Sequence, residues 1–175
     1  MGKVQILAVL TMDGCLSSEL YDKAHQDLCL DRCGLDEIRK KAFYRVTPDY
    51  SISMLHEWRK DCTNIRYLAE ATPDTADYIN GLLRMHAVDE IILYTVPFIS
   101  GSGRHFFKSA LPEQHWTLSS LKSYPNGVCR IIYILDKKQD SQNVRQAYIS
   151  IFRNRINVLI TNNLSRRLFV LVKKY

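Results

Sequence analysis

The chain has 175 residues, a hydrophobic share of 46% and a formal net charge of +6. That is enough apolar sequence for one domain with a core of its own. No apolar run approaches the ~20 residues of a membrane-spanning helix. Five cysteines, at 15, 29, 33, 62 and 129, are odd in number and contain no C-x-x-C pair. They do not suit the disulfide framework of a small secreted domain.

In chain order, Val4–Leu10 is almost continuously apolar and predicts a central strand buried on both faces. Asp13-Gly14 turns the chain. Ser17 or Ser18 would cap a helix from Glu19 to Cys33, with Leu20, Ala24 and Leu28 on one face and Gly34 as its stop. His25, Cys29 and Cys33 fall on one stripe of that helix. Three ligands spread over about 12 Å of a straight helix cannot all reach one ion at roughly 2.0–2.3 Å, so no metal is expected. Leu35–Val46 predicts a second, Lys/Arg-rich helix, Thr47-Pro48-Asp49 a turn, and Ile52–Lys60 a helix with Ile52, Leu55 and Trp58 inward.

Ile65–Ala71 predicts a strand. Thr72 then fits an N-cap, Pro73 the first helical position and Asp74 the acidic first turn of a helix running to His86. That helix would bury Ile79, Leu82 and Leu83. Asp89 and Glu90 open the strand Ile91–Val96. Pro97, which has no N–H for a ladder, weakens pairing there, and Gly101-Ser102-Gly103 forms a turn that lets backbone approach a ligand. Pro125-Asn126-Gly127 turns a hairpin spanning Ser119–Leu135. Ser141–Arg153 predicts a further helix, and Asn157–Thr161 with Leu168–Val172 a last hairpin.

Val88, Asp89, Glu90, Pro97, Gly101, Gly103 and Phe107 together form a V-D-E, strand, Pro, G-x-G, Phe pattern. It resembles the dihydrofolate-reductase-like family, most closely the reductase domain of riboflavin-biosynthesis deaminase-reductases. Val4–Gly14 is similar to that family's first strand and its S-x-D-G turn, and Leu111–Leu135 to its closing hairpin. The resemblance covers a little under half of the chain. It implies an α/β fold, a three-layer α/β/α sandwich around a mixed, mostly parallel sheet. It also implies an NADPH-dependent reductase similar to 5-amino-6-(5-phosphoribosylamino)uracil reductase or dihydrofolate reductase.

By resemblance, Asp13 is the catalytic candidate, and Met12, Asp13 and Gly14 would meet a heterocyclic substrate. Ala8, Thr72, Thr75, Gly101, Ser102, Gly103 and Arg104 would meet NADPH, with Lys108 a further phosphate contact. Asp13 also reads as a turn aspartate satisfying its own backbone, the glycine loop as a tight turn without a ligand, and His105 as structural.

Two departures stand against this pattern. The family places a Gly-Gly pair before the helix that leads to V-D-E, where bare N–H groups meet the diphosphate. Here Ala71-Thr72-Pro73-Asp74-Thr75 has no glycine, loses a donor at Pro73 and carries a negative charge at Asp74. The expectation is NADPH binding that is weak or displaced toward Gly101–Arg104. The stretch between Asp13 and Asp89 also looks short by about one strand–helix unit, with no recognisable second strand. A catalytically degenerate member acting as a binding or regulatory protein is the alternative.

Charge is uneven. Residues 137–175 hold nine basic residues and one acid, Asp140, for +8, which leaves −2 on the rest. Arg145, Arg153, Arg155, Arg166, Arg167, Lys173 and Lys174 would form either a solvated positive face or a nucleic-acid contact. Residues 1–138 read as the reductase-like domain and 139–175 as a basic extension packed on it. Asp13 interrupts the apolar N-terminus and no small-residue cleavage site follows, so the expected compartment is the cytoplasm, with no membrane partner and a homodimer left open.

Overall fold

The computed structural model describes residues 1–16, 28–61, 64–108 and 110–136. The expected helix from Glu19 with its cap at Ser17 or Ser18, the helix at Ser141–Arg153, the last hairpin and the basic residues beyond 138 lie outside the described residues, apart from the end of the first helix. The chain divides into two units, Met1–Leu135 and Asp136–Tyr175, and the fold given below is that of the first.

The described elements are β1 (Lys3–Leu10), β2 (Cys15–Leu16), a 3₁₀ turn at Leu30–Cys33, α1 (Leu35–Lys41), β3 (Tyr44–Arg45), α2 (Ile52–Asp61), β4 (Arg66–Ala71), α3 (Ala76–Arg84), β5 (Glu90–Thr95), β6 (Arg104–His105), β7 (Trp116–Ser123) and β8 (Cys129–Leu135). Six strands make one sheet in the order β3-β4-β1-β5-β8-β7, and β2 pairs with β6 in a small second ladder. β3, β4, β1 and β5 are mutually parallel, whereas β8 runs antiparallel to both of its neighbours, β5 and β7. The three expected core strands therefore lie side by side in one mixed sheet. Among the described residues, no helix is long and apolar enough to cross a membrane.

β1 is central because its side chains are apolar on both faces. Val4, Ile6, Ala8 and Leu10 face a cluster with Leu55 of α2 and Ile79, Leu82 and Leu83 of α3. Leu7 and Val9 face the opposite cluster with Leu30, Cys33 and Leu35. Each such fully buried aliphatic side chain contributes about 1.5–3 kcal/mol of transfer free energy. The result is three layers, with α2 and α3 on one side and α1 with the 3₁₀ turn on the other.

Three local expectations change. The segment expected as a helix to Val46 ends at Lys41, and Tyr44–Arg45 forms edge strand β3, parallel to β4. Backbone bonds from Phe43 N to Arg66 O and Val46 N to Leu68 O extend this pairing, and the Tyr44 ring stacks on Tyr67 at 5.7 Å. The sequence does not reveal this edge strand. Second, α3 starts at Ala76, with Thr75 rather than Thr72 at its N-cap position and 73–75 in a turn. The two threonines lock that turn: Thr72 N donates to Thr75 Oγ1 at 2.8 Å, and Thr75 Oγ1 donates to Glu70 O at 2.7 Å. Third, the described end of the first expected helix is 3₁₀, and it stops at Gly34 with φ +81°.

Asp89 has a role that its position in the sequence did not suggest. Its carboxylate accepts from Arg59 Nη2 at 2.6 Å and from Val4 N at 2.9 Å. Arg59 also donates to Ala87 O at 2.8 Å. With side chains only 3% and 7% exposed, Arg59 and Asp89 buckle α2 to the starts of β1 and β5.

Candidate functional site

Beyond the carboxyl ends of β1 and β5, two loops meet, which is where open α/β sheets place ligands. β1 leads into Thr11-Met12-Asp13-Gly14, and β5 leads through Pro97 into the 98–103 loop. Pairing of Cys15 with His105 and of Leu16 with Arg104 holds the far sides of the two loops together. Met12 N donates to Phe98 O at 2.8 Å, and Phe106 N donates to Gly14 O at 3.2 Å. Only glycine suits position 103: its φ is +126°, and an added Cβ would sit 3.1 Å from Leu16 O.

Asp13 is the clasp between the loops. Its Oδ1 accepts from Ser100 N at 3.2 Å and its Oδ2 from Gly101 N at 3.0 Å. Thr11 Oγ1 donates to Oδ1 as well. The Thr11 hydroxyl, with the two backbone donors, lowers the carboxyl from its ordinary 3.8 to about 2. Asp13 is therefore ionised throughout the neutral range, and both of its oxygens are engaged. Cys15 Sγ lies 3.7 Å from Asp13 Oδ2 and 3.8 Å from His105 Nδ1. Burial, with the adjacent Asp13 charge, raises this thiol, which keeps it protonated and a poor nucleophile.

Met12, Phe98 and Ile99 form an exposed apolar rim around the clasp. Of the other expected residues, Gly14 closes its turn by donating to Thr11 O at 2.9 Å, and Ser102 gives its carbonyl to Ser100 Oγ. Ala8 is 1% exposed inside the core, opposite Ala71 and Leu93 in the ladders. Its side chain is thus beneath the cleft rather than in it.

Arg104 joins this loop to the start of α3. Its Nη1 donates to Pro73 O at 2.7 Å, and its Nη2 pairs with Asp77 Oδ2 at 2.5 Å. Lys108 Nζ takes the other Asp77 oxygen. Buried Asn80 positions this lysine by accepting from Lys108 N at 3.1 Å while donating to Phe106 O at 2.9 Å. The two cations lower the Asp77 carboxyl, Lys108 most. Asp74 is exposed nearby. The acid that meets both cations is thus Asp77, one helical turn from where the sequence drew attention. Lys108, expected as a phosphate contact, instead pairs with Asp77, and Asp77, Thr11 and Ser100 are not among the expected site residues. The i,i+2 spacing of Thr11 and Asp13 and the acidic first turn of α3 were the available signals.

The residues at this helix start do not fit NADPH in the manner the resemblance implies. The loop carries Pro73 in place of a donor, Gly101 N already serves Asp13, and the two cations already hold a carboxylate. Among the described residues, no group of His, Cys, Asp and Glu could hold a metal ion.

No protein-family model matches the sequence, and no curated protein matches it. Solved structures do match. A Shewanella sp. PV-4 protein named for riboflavin biosynthesis superposes with a TM-score of 0.52 at 11% identity, covering 77% of this chain and 99% of that one. RibD of Acinetobacter baumannii superposes with a TM-score of 0.50 at 12% identity, covering 78% of this chain and 59% of RibD. The chain thus spans somewhat over half of RibD. The order of strands and these similarities agree: the chain has a dihydrofolate-reductase-like α/β fold, shared with these riboflavin-biosynthesis proteins.

Proposed function

We propose that this chain is a dihydrofolate-reductase-fold protein that receives a small heterocycle at the Asp13 clasp and acts as a binding or regulatory protein, without holding NADPH for hydride transfer. The observation that supports this reading is Asp77. Its carboxylate occupies both Arg104 and Lys108 at the start of α3, where the resemblance would have the cofactor diphosphate contact bare N–H groups and cations. A helix N-terminus favours one anion, and this chain supplies that anion itself. A diphosphate would have to displace Asp77 and would then face its charge.

At the clasp, the exposed apolar rim of Met12, Phe98 and Ile99 suits a flat ring. Asp13, its oxygens taken by Thr11, Ser100 and Gly101, holds the two loops in register there. No proton transfer is assigned to it, because its pKa of about 2 makes it a weak base.

A second reading, a working reductase, has one observation in its favour: the Met12–Gly14 turn and the Gly101–Gly103 loop do meet, as the family pattern implies. Titrating the wild-type chain with NADPH, followed by cofactor fluorescence, separates the two. The binding-protein reading expects no saturation in the micromolar range. Saturation there, with oxidation of the cofactor on adding a pyrimidine substrate, supports the reductase.

A further inference from the structure

A cavity lies on the α3 side of the sheet. It has a volume of about 350 Å³ and is bounded by α3, the middle of the sheet and the chain between β6 and β7. Ile91 and Leu93 of β5 and Tyr133 of β8 share one face of the sheet, Ile91 and Tyr133 being direct cross-strand partners. Trp116 pairs with Leu135, two residues beyond Tyr133, on that same face. Leu83, near the end of α3, and Phe107, Leu111, Pro112 and Gln114 complete the lining. Asp13 and Gly101 lie past the opposite ends of β1 and β5, so this is a separate site.

Its chemistry is specific. No Asp, Glu, Lys or Arg lines it, so an ionic ligand would lose hydration without gaining a counter-charge. Three rings, Phe107, Trp116 and Tyr133, offer flat apolar surface. Gln114 donates its amide nitrogen to Leu83 O at 2.8 Å and approaches His86 Nδ1 at 3.2 Å. Its carbonyl oxygen, the Trp116 indole N–H and the Tyr133 hydroxyl take no hydrogen bond among the described residues. An apolar cavity of this size with a few polar groups is the usual form of a small-molecule site.

We propose that this cavity binds a neutral, planar aromatic molecule of one or two fused rings bearing an N–H or O–H group. Ring stacking supplies the apolar contact, and the Gln114 carbonyl accepts the ligand's donor. Absence of charge in the lining is the selectivity device against carboxylated or phosphorylated relatives of the same ring.

Indole is the probe and benzoate its charged counterpart, each titrated into the full chain with the two tryptophan indole N–H signals followed by NMR. Trp58 lies on α2, outside the lining, and serves as the internal control. The expected result is a saturable shift of the Trp116 signal with indole, none with benzoate and none at Trp58. Leu111→Phe, which adds volume at the cavity wall, should weaken indole by about tenfold or more. Equal shifts at both tryptophans, no saturation, or equal binding of benzoate would each overturn the proposal on the wild type alone. So would undiminished indole binding by a folded Leu111→Phe.

Discussion

Each end of the sheet is tied by a carboxylate that gathers backbone donors or cations, and the two ends differ in burial. At the amino end, Asp89 and Arg59 are 7% and 3% exposed, and they join α2, β1 and β5. At the carboxyl end, Asp13 is only partly buried and Asp77 is exposed, and both tie loops. Buried charges are costly to strand, whereas exposed pairs add little to stability. The amino end is thus built for holding the fold together. In the proposed function, the carboxyl end decides what can approach it.

The sharpest test of that contrast is Arg59→Ala. It leaves the Asp89 carboxylate buried without its guanidinium partner and should destabilise the fold by about 3–5 kcal/mol. Urea denaturation would report it as a lower midpoint. Asp77→Asn, measured in the same way, should barely move the midpoint. Comparable losses from the two variants would remove the distinction between the ends.

Gly103→Ala comes next. The positive φ and the contact with Leu16 O place its cost at about 1–3 kcal/mol. Thermal unfolding would measure the loss, and faster amide exchange at Cys15 and His105 would localise it to the β2–β6 ladder. An unchanged melting temperature would mean that the loop relaxes without the clasp.

The smallest effect concerns pH. Asp13 has a folded pKa of about 2 against an ordinary 3.8. Because the folded value is depressed, its stabilising contribution is present above the ordinary value and is lost as pH falls toward the folded one. The stability difference between wild type and Asp13→Asn should therefore hold at neutral pH and shrink between about pH 4 and 2. A difference that does not vary with acid would show that the clasp does not depend on the charge.

Much of the fold could be read from the sequence, because long apolar strands have a clear signature. Val4–Leu10, the strand after Asp89 and the hairpin at Pro125-Asn126-Gly127 fall close to where periodicity and turn chemistry put them. β3 could not be read: two exposed residues have no period, and Lys/Arg-rich sequence before them continues a helical pattern. The Arg59–Asp89 buckle was hidden because charges 30 positions apart reveal neither burial nor contact. At the candidate site, the glycines and Asp13 were visible as turn residues. The contact of Asp77 with Arg104 and Lys108 was not, since it depends on Asn80 holding the 106–108 segment against α3.

In the proposed function, Asp77 closes the start of α3 to a diphosphate. Calorimetry with NADPH at low salt, on wild type and on Asp77→Asn, tests it most directly. The wild type should show no saturable binding, and removing the charge should raise affinity by about tenfold or more. Micromolar binding by the wild type would contradict it, as would an Asp77→Asn protein that folds normally and binds no better.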